Sequence, residues 1–211
     1  RRALAIASES GAEHVVDVCE PGDAAEFLSA EAERIGLVVW HAPLPRGASA
    51  VELEQLVAAG RVVLFVPPEQ DSEDRGAAAF GFRWGAWRPL AGDTRILDTW
   101  RGDEDLLAHA QSGKALPLDE LRAFRVRALQ GQAVEGAVLA RLKNGAPLLV
   151  RAPTDHGAAY FAATLPTASY STLERDAIAF YVMLQRALAR GSAALANAAQ
   201  SDAGGEALPA R

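Results

Sequence analysis

The chain has 211 residues, half of them apolar and 23% charged, with a formal net charge of −6 and a single cysteine, Cys19. That length can bury a sizeable core. The acidic balance, without a Lys/Arg cluster interleaved with aromatics, argues against general nucleic-acid binding, and one cysteine excludes an internal disulfide.

No apolar run approaches the roughly 20 residues of a transmembrane helix, so direct membrane insertion by this stretch is not expected. Arg1-Arg2 leads straight into a strand-like run at 3–8, without an initiator Met or a signal-peptide pattern. The chain is therefore expected to be a piece of a longer protein. His14–Val18 is a second strand candidate, closed by the turn residues Cys19-Glu20-Pro21-Gly22. Asp23–Arg34 has helical spacing, with Asp23 as N-cap and Phe27 and Leu28 on one face. Ile35–Trp40 is a continuous apolar run, the pattern of a strand covered on both faces. Ser49 and Glu52 form a capping box for a helix that Gly60 stops. Arg61–Val66 is another buried strand, ended by Pro67-Pro68. Strands alternating with helices over 3–66 predict βαβ units, hence a parallel sheet with helices on both sides, a flavodoxin-like layering.

From Asp71 to Gly81 the chain turns charged and then Ala/Gly-rich, as in a loop or short helix. Phe80, Phe82, Trp84 and Trp87 then fall within eight residues. Aromatics so spaced either wedge under the sheet edge as a satellite core or line an exposed groove for a partner or ligand. Phe82, Trp84 and Trp87 are the candidate contact residues of the second reading. Thr94–Trp100 reads as a strand, Leu106–Gln111 as a helical turn and Lys114–Leu118 as a loop. Phe124–Leu129 alternates in β fashion, with Arg125 and Arg127 on the face opposite its apolar residues.

Residues 137–164 read as three short strands joined by two tight turns. Asn144-Gly145 predicts a two-residue hairpin with φ > 0 at both positions, and Asp155-His156-Gly157 a second turn. Residues 94–164 are thus a mostly antiparallel β section that extends the parallel sheet. Ser171 and Glu174 form a second capping box. The helix it opens has Ala177, Phe180, Tyr181, Leu184 and Leu188 as its core face and can continue past Gly191 through Ala199, and Ser201 onward is linker-like. The expected organisation is one α/β domain over 1–191 and a helical extension with linker over 192–211.

Chemistry is sparse. A hydrolase elbow, Gly-x-Ser-x-Gly or its Cys counterpart, is missing. Cys19 stands beside Glu20, whose carboxylate raises rather than lowers a thiol pKa. The four histidines (His14, His41, His109, His156) lack metal-ligand spacing, His156 suits a turn, and no phosphate-cradling glycine loop occurs. No catalytic residue, metal or cofactor is expected. His41 follows the buried strand ending at Trp40, and ligands of open α/β sheets sit at strand carboxyl ends. His41, Glu69 and Asp71 are therefore the candidate ligand-binding or hydrolytic cluster, with a surface histidine beside a loop as the favoured alternative.

The order of elements resembles the class I glutamine amidotransferase-like fold, in the form found in bacterial membrane-anchored proteins of the aerotolerance-regulator (BatA-like) type that also carry a von Willebrand factor A domain. The resemblance covers roughly residues 3–191. It rests on the strand ending in Trp40-His41, on VELEQLVAAG (51–60) leading to RVVLFVPP (61–68), on VLARLKNGAPLLV and HGAAYFAATLP, and on the helix ending YVMLQRALARG. It implies a bacterial envelope protein, membrane-associated through segments outside this one, with this part outside the cytoplasm favoured. The implied partners are other domains of the same chain or envelope proteins. It also implies where a nucleophile should stand, after the strand at Val62–Val66. That place reads Leu64-Phe65-Val66-Pro67-Pro68, without cysteine or flanking glycine, and no late His-x-Glu pair follows. The resemblance therefore implies a pseudoenzyme that scaffolds or binds a partner.

Overall fold

The structure, a computed structural model, describes residues 14–70, 77–103, 105–109, 113–131, 138–175 and 177–204. Eight strands and three α-helices appear among them. In chain order they are α1 (Ala24–Ala30), β1 (Leu37–Trp40), α2 (Ala48–Ala58), β2 (Val62–Phe65), β3 (Phe82–Pro89), β4 (Leu97–Trp100), β5 (Arg125–Gly131), β6 (Val138–Leu142), β7 (Pro147–Ala152), β8 (Ala158–Ala162) and α3 (Ala177–Gly204). Short 3-10 turns cover Gly92–Arg95, Asp105–Leu107 and Thr172–Glu174.

The architecture is mixed α/β. One sheet has the order β1-β2-β8-β7-β6-β4. Its first three strands are parallel, with Val62 opposite both Leu37 and Ala158, and the remainder runs antiparallel. A separate antiparallel ribbon pairs β3 with β5. Every side chain of β2 is buried, because successive residues point to opposite faces and both faces are covered. Val62, Leu64, Ala158 and Tyr160 face Ala179, Met183, Leu184 and Ala187 of α3. Val63, Phe65, Ala159 and Phe161 belong to the other layer, with Leu28 of α1, Leu53, Leu56 and Val57 of α2, and Phe82 of the ribbon.

Several local expectations are corrected. The 3–8 strand lies outside the described residues. His14–Val18 forms no strand: no sheet edge receives it among the described residues, and Val15 and Val18 are exposed. α1 ends at Ala30, and Asp23 stands at its N-cap without a side-chain capping bond. α2 starts one residue before Ser49 with Gly47 at its N-cap, so the expected capping box does not form. At the other box, Ser171 Oγ accepts from Leu173 N–H and caps the 3-10 turn. Glu174 instead accepts from Ala168 N–H. The helix α3 reaches Gly204, so the stretch expected to be linker from Ser201 begins as helix. Its buried stripe is Ala179, Met183, Leu184 and Ala187, with Phe180 and Val182 partly buried beside it.

The β6–β7 turn also differs from expectation. Gly145 N–H bonds Leu142 C=O at 2.8 Å, Leu142 N–H bonds Ala146 C=O at 2.9 Å, and only Gly145 is left-handed, at φ 80°. This is a three-residue loop, a turn plus a glycine bulge, rather than a two-residue hairpin. The Asn144 side chain contributes by accepting from Ala146 N–H at 3.0 Å, the local turn bond that asparagine supplies two residues on.

Candidate functional site

The carboxyl ends of β1 and β2 open onto a depression of about 330 Å³ lined by His41, Pro43, Pro68, Glu69 and Gln70. Two of the three expected cluster members, His41 and Glu69, therefore share one hollow, both exposed. Asp71 lies outside the described residues. The walls are built from the backbone. Trp40 Nε1 donates to Pro43 C=O at 2.8 Å and fixes the turn after β1. Pro68 C=O accepts from Trp87 Nε1 at 3.1 Å and from Arg127 Nη1 at 3.2 Å, and Gln70 C=O accepts from Arg127 Nη1 at 3.3 Å. The β3–β5 ribbon thus holds the segment that carries Glu69.

At the end of β2, Val66 is buried and its N–H bonds Trp40 C=O at 2.9 Å, so the backbone continues the β1–β2 ladder up to Pro67. The sole cysteine, Cys19, is exposed elsewhere. His14 is half-buried, while His41, His109 and His156 are exposed. No group of three His, Cys, Asp or Glu side chains that could hold a metal occurs among the described residues.

The aromatic run divides between two environments. Phe82 is a core residue at 1% exposure, tilted against Phe161 with ring centroids 5.1 Å apart, and so it is removed from any contact surface. Trp84 is half-buried edge-on to the same ring at 5.7 Å. Trp87, also half-buried, packs on Tyr170 at 4.7 Å. Alternation along β3 sends Phe82 and Trp84 inward to Phe161, and the register shift between Trp84 and Trp87 turns the strand so that Trp87 meets a different layer. Arg127 is buried too. It does not point outward with exposed Arg125, because Gly85 C=O at 2.8 Å and the Pro68 and Gln70 carbonyls accept its guanidinium N–H groups.

A polar centre that the pattern of residues did not reveal lies on the α3 face of the sheet. Arg151 on β7 and Tyr160 on β8 are cross-strand partners, and both close on Asp105. Arg151 Nη1 is 2.8 Å from Asp105 Oδ2, the Tyr160 hydroxyl donates to Oδ1, and Leu106 N–H donates to Oδ1 at 3.0 Å. Arg190 of α3 sits 3.8 Å from Oδ1 and 3.4 Å from the Tyr160 hydroxyl. Burial first, then the bond to Asp105 and its negative charge, raise the Tyr160 pKa far above the usual tyrosine value, so the hydroxyl stays a donor. Nearby, Arg186 donates to the carbonyls of Leu106, Ala108 and His109, and burial lowers its pKa. The one legible hint was a tyrosine in the wholly apolar run of β8, since a buried hydroxyl requires a partner.

No protein-family model matches the chain, and no curated protein matches it. Among solved structures, an exo-β-1,4-mannosidase from Opitutaceae bacterium strain TAV5 is similar at 15% identity and a TM-score of 0.36, over 90% of this chain and 34% of that one. The chain thus spans about a third of that enzyme's length. A likeness at this level carries no argument about chemistry.

Proposed function

We propose that this chain is a non-catalytic scaffold or protein-interaction domain, a flavodoxin-like, amidotransferase-like fold that has lost the nucleophile. The observation that carries this reading is Val66. A buried aliphatic side chain on a regular ladder, followed by Pro67, offers neither an attacking atom nor an elbow to present one. The resemblance described above adds the setting: a larger membrane-anchored bacterial envelope protein of BatA-like type, with this domain outside the cytoplasm and its partners among the neighbouring domains or other envelope proteins.

Two measurements test the reading. Titration calorimetry of the purified chain against separately purified neighbouring domains of the full-length protein is expected to give saturable binding, and binding to none of them overturns the scaffold role. Ammonia release from glutamine above the uncatalysed rate overturns the non-catalytic part.

A second reading has one observation in its favour. His41 and Glu69 line the same depression at the strand ends, where open α/β sheets take small ligands. A saturable small-molecule ligand whose binding is lost in His41→Ala and Glu69→Gln would move the function to this hollow.

A further inference from the structure

We propose that Arg151 and Arg190 form an oxyanion-binding site at the solvent side of the Asp105 centre. The two guanidinium groups come from different elements, β7 and α3, and meet at one carboxylate, with Nη1 atoms 2.8 and 3.8 Å from its two oxygens. Among the described residues, Arg151 and Arg190 bring two positive charges to the single carboxylate of Asp105, and the protonated Tyr160 adds none, so these groups together carry a surplus of one positive charge. Asp105 is nearly closed off, with a side-chain exposure of 5%, while Arg151 and Arg190 are 32% and 38% exposed. The surplus therefore faces solvent.

Both arginines also keep donors in hand. Arg151 spends Nη1 on Asp105, and Arg190 spends Nη1 on the Tyr160 hydroxyl and Asp105. Each guanidinium has five N–H donors in a planar fork, and both side chains reach solvent, at 32% and 38% exposure. A carboxylate or phosphate oxygen pair suits two such forks.

The centre is also pre-organised. Asp105 holds a left-handed φ of 67°, a conformation that persists in a non-glycine residue only where the surroundings enforce it. Arg186 pins the carbonyls of Leu106, Ala108 and His109 around it, and Leu106 and Leu107 are buried beneath. Asp105 thus serves as an inner counter-ion that aims the arginines, leaving their outer edges for an external oxyanion. A small metabolite or an acidic or phosphorylated side chain of a partner can present that group, and the site recognises the chemistry they share.

The test is the melting temperature of the purified chain at fixed pH and ionic strength, with chloride replaced stepwise by inorganic phosphate or by acetate. A site that binds only the folded state raises it along a saturable curve. Saturation with phosphate alone identifies a phosphate-type ligand, and saturation with both admits carboxylates. Arg190→Gln, whose long contacts leave Asp105 paired with Arg151 and Tyr160, is expected to weaken the apparent affinity at least about tenfold. No saturable shift with either anion, or an equal shift in Arg190→Gln, overturns the proposal. If that variant fails to fold, NMR of the arginine Nε–H groups in the unaltered chain decides. Phosphate-dependent shifts of Arg151 and Arg190 support the site, and unmoved signals at both overturn it.

Discussion

Tyr160 donates its hydroxyl hydrogen to Asp105, a residue 55 positions earlier in the chain, and this bond ties the middle of β8 to the turn after β4. Tyr160→Phe keeps the ring and leaves a buried carboxylate with one donor fewer, which is expected to cost about 1–3 kcal/mol of unfolding free energy. Urea denaturation at neutral pH checks it, and an unchanged midpoint would mean that the bond contributes nothing net.

The same tyrosine predicts an alkaline limb in the stability curve. In the unfolded chain it loses its proton near pH ~10, whereas in the folded chain burial and Asp105 hold the proton on well beyond that. The folded state then binds more protons, so stability falls as pH rises. The contribution is complete below about pH 10 and declines above it, by at most about 1.4 kcal/mol per pH unit. The stability difference between the unaltered chain and Tyr160→Phe is expected to be flat at neutral pH and to shrink above pH ~10. Parallel curves through the alkaline range would contradict this.

Gly191 sits inside α3 where an alanine ordinarily strengthens a helix by about 1 kcal/mol. Here a Cβ would stand 1.8 Å from Gly36 C=O. The clash is with backbone on both sides, so neither a rotamer change nor a side-chain shift relieves it, and the steric cost outweighs the propensity gain. Gly191→Ala is expected to lower the melting temperature despite its better helix propensity. A raised melting temperature would show that α3 can lift off the residues before β1 at little cost.

Phe161 is the hub of the aromatic layer. It stacks on Phe65 at 4.6 Å and meets Phe82 and Trp84 at 5.1 and 5.7 Å. Phe161→Ala is expected to cost about 3–5 kcal/mol and to change the near-ultraviolet circular dichroism of Trp84, because the ring that fixes that indole is gone. Phe161→Leu, which refills most of the volume, is expected to recover a large part of the stability and little of the spectrum.

Arg127 predicts an effect at a distance. Replacing it with Met removes the donors to Gly85, Pro68 and Gln70 and frees the stretch that carries Glu69. Hydrogen exchange at 69–70 and 85–87 is expected to rise at least about tenfold, with β7 and β8 unaffected. Equal exchange in both proteins would show that the Arg127 bonds do not hold the loop.

Much of the fold was legible because it depends on local pattern. The apolar run at Arg61–Val66 could be read as a doubly covered strand, and residues 137–164 as three strands in succession. Both readings rest on burial periodicity, which survives in a single sequence. Ile35–Trp40 instead yields β1, a strand at the end of the sheet with Val39 exposed and Leu37 and Val38 only half-buried. What could not be read depends on contacts between distant residues. Nothing local to Arg127 says that carbonyls 42 to 59 positions away will accept from it, so alternation placed it outward. Likewise, Asp105 looks like an ordinary turn residue until Arg151 and Tyr160 arrive from 46 and 55 positions later. Of the candidate residues, His41 and Glu69 line one hollow, while Phe82 went to the core, since one strand carries residues to both of its faces.

The pairing of β2 with β8 has a consequence for how the protein is made. Val62 finds its second neighbour only at Ala158, so a ribosome must deliver the chain as far as β8 before the parallel block can close. Until then β2 offers an unpaired edge of wholly apolar residues, the kind of surface on which nascent chains associate. Such long-range pairing also makes for slow folding. Nascent chains released before Ala158 are expected to collect in the insoluble fraction, and those released after α3 to remain in solution.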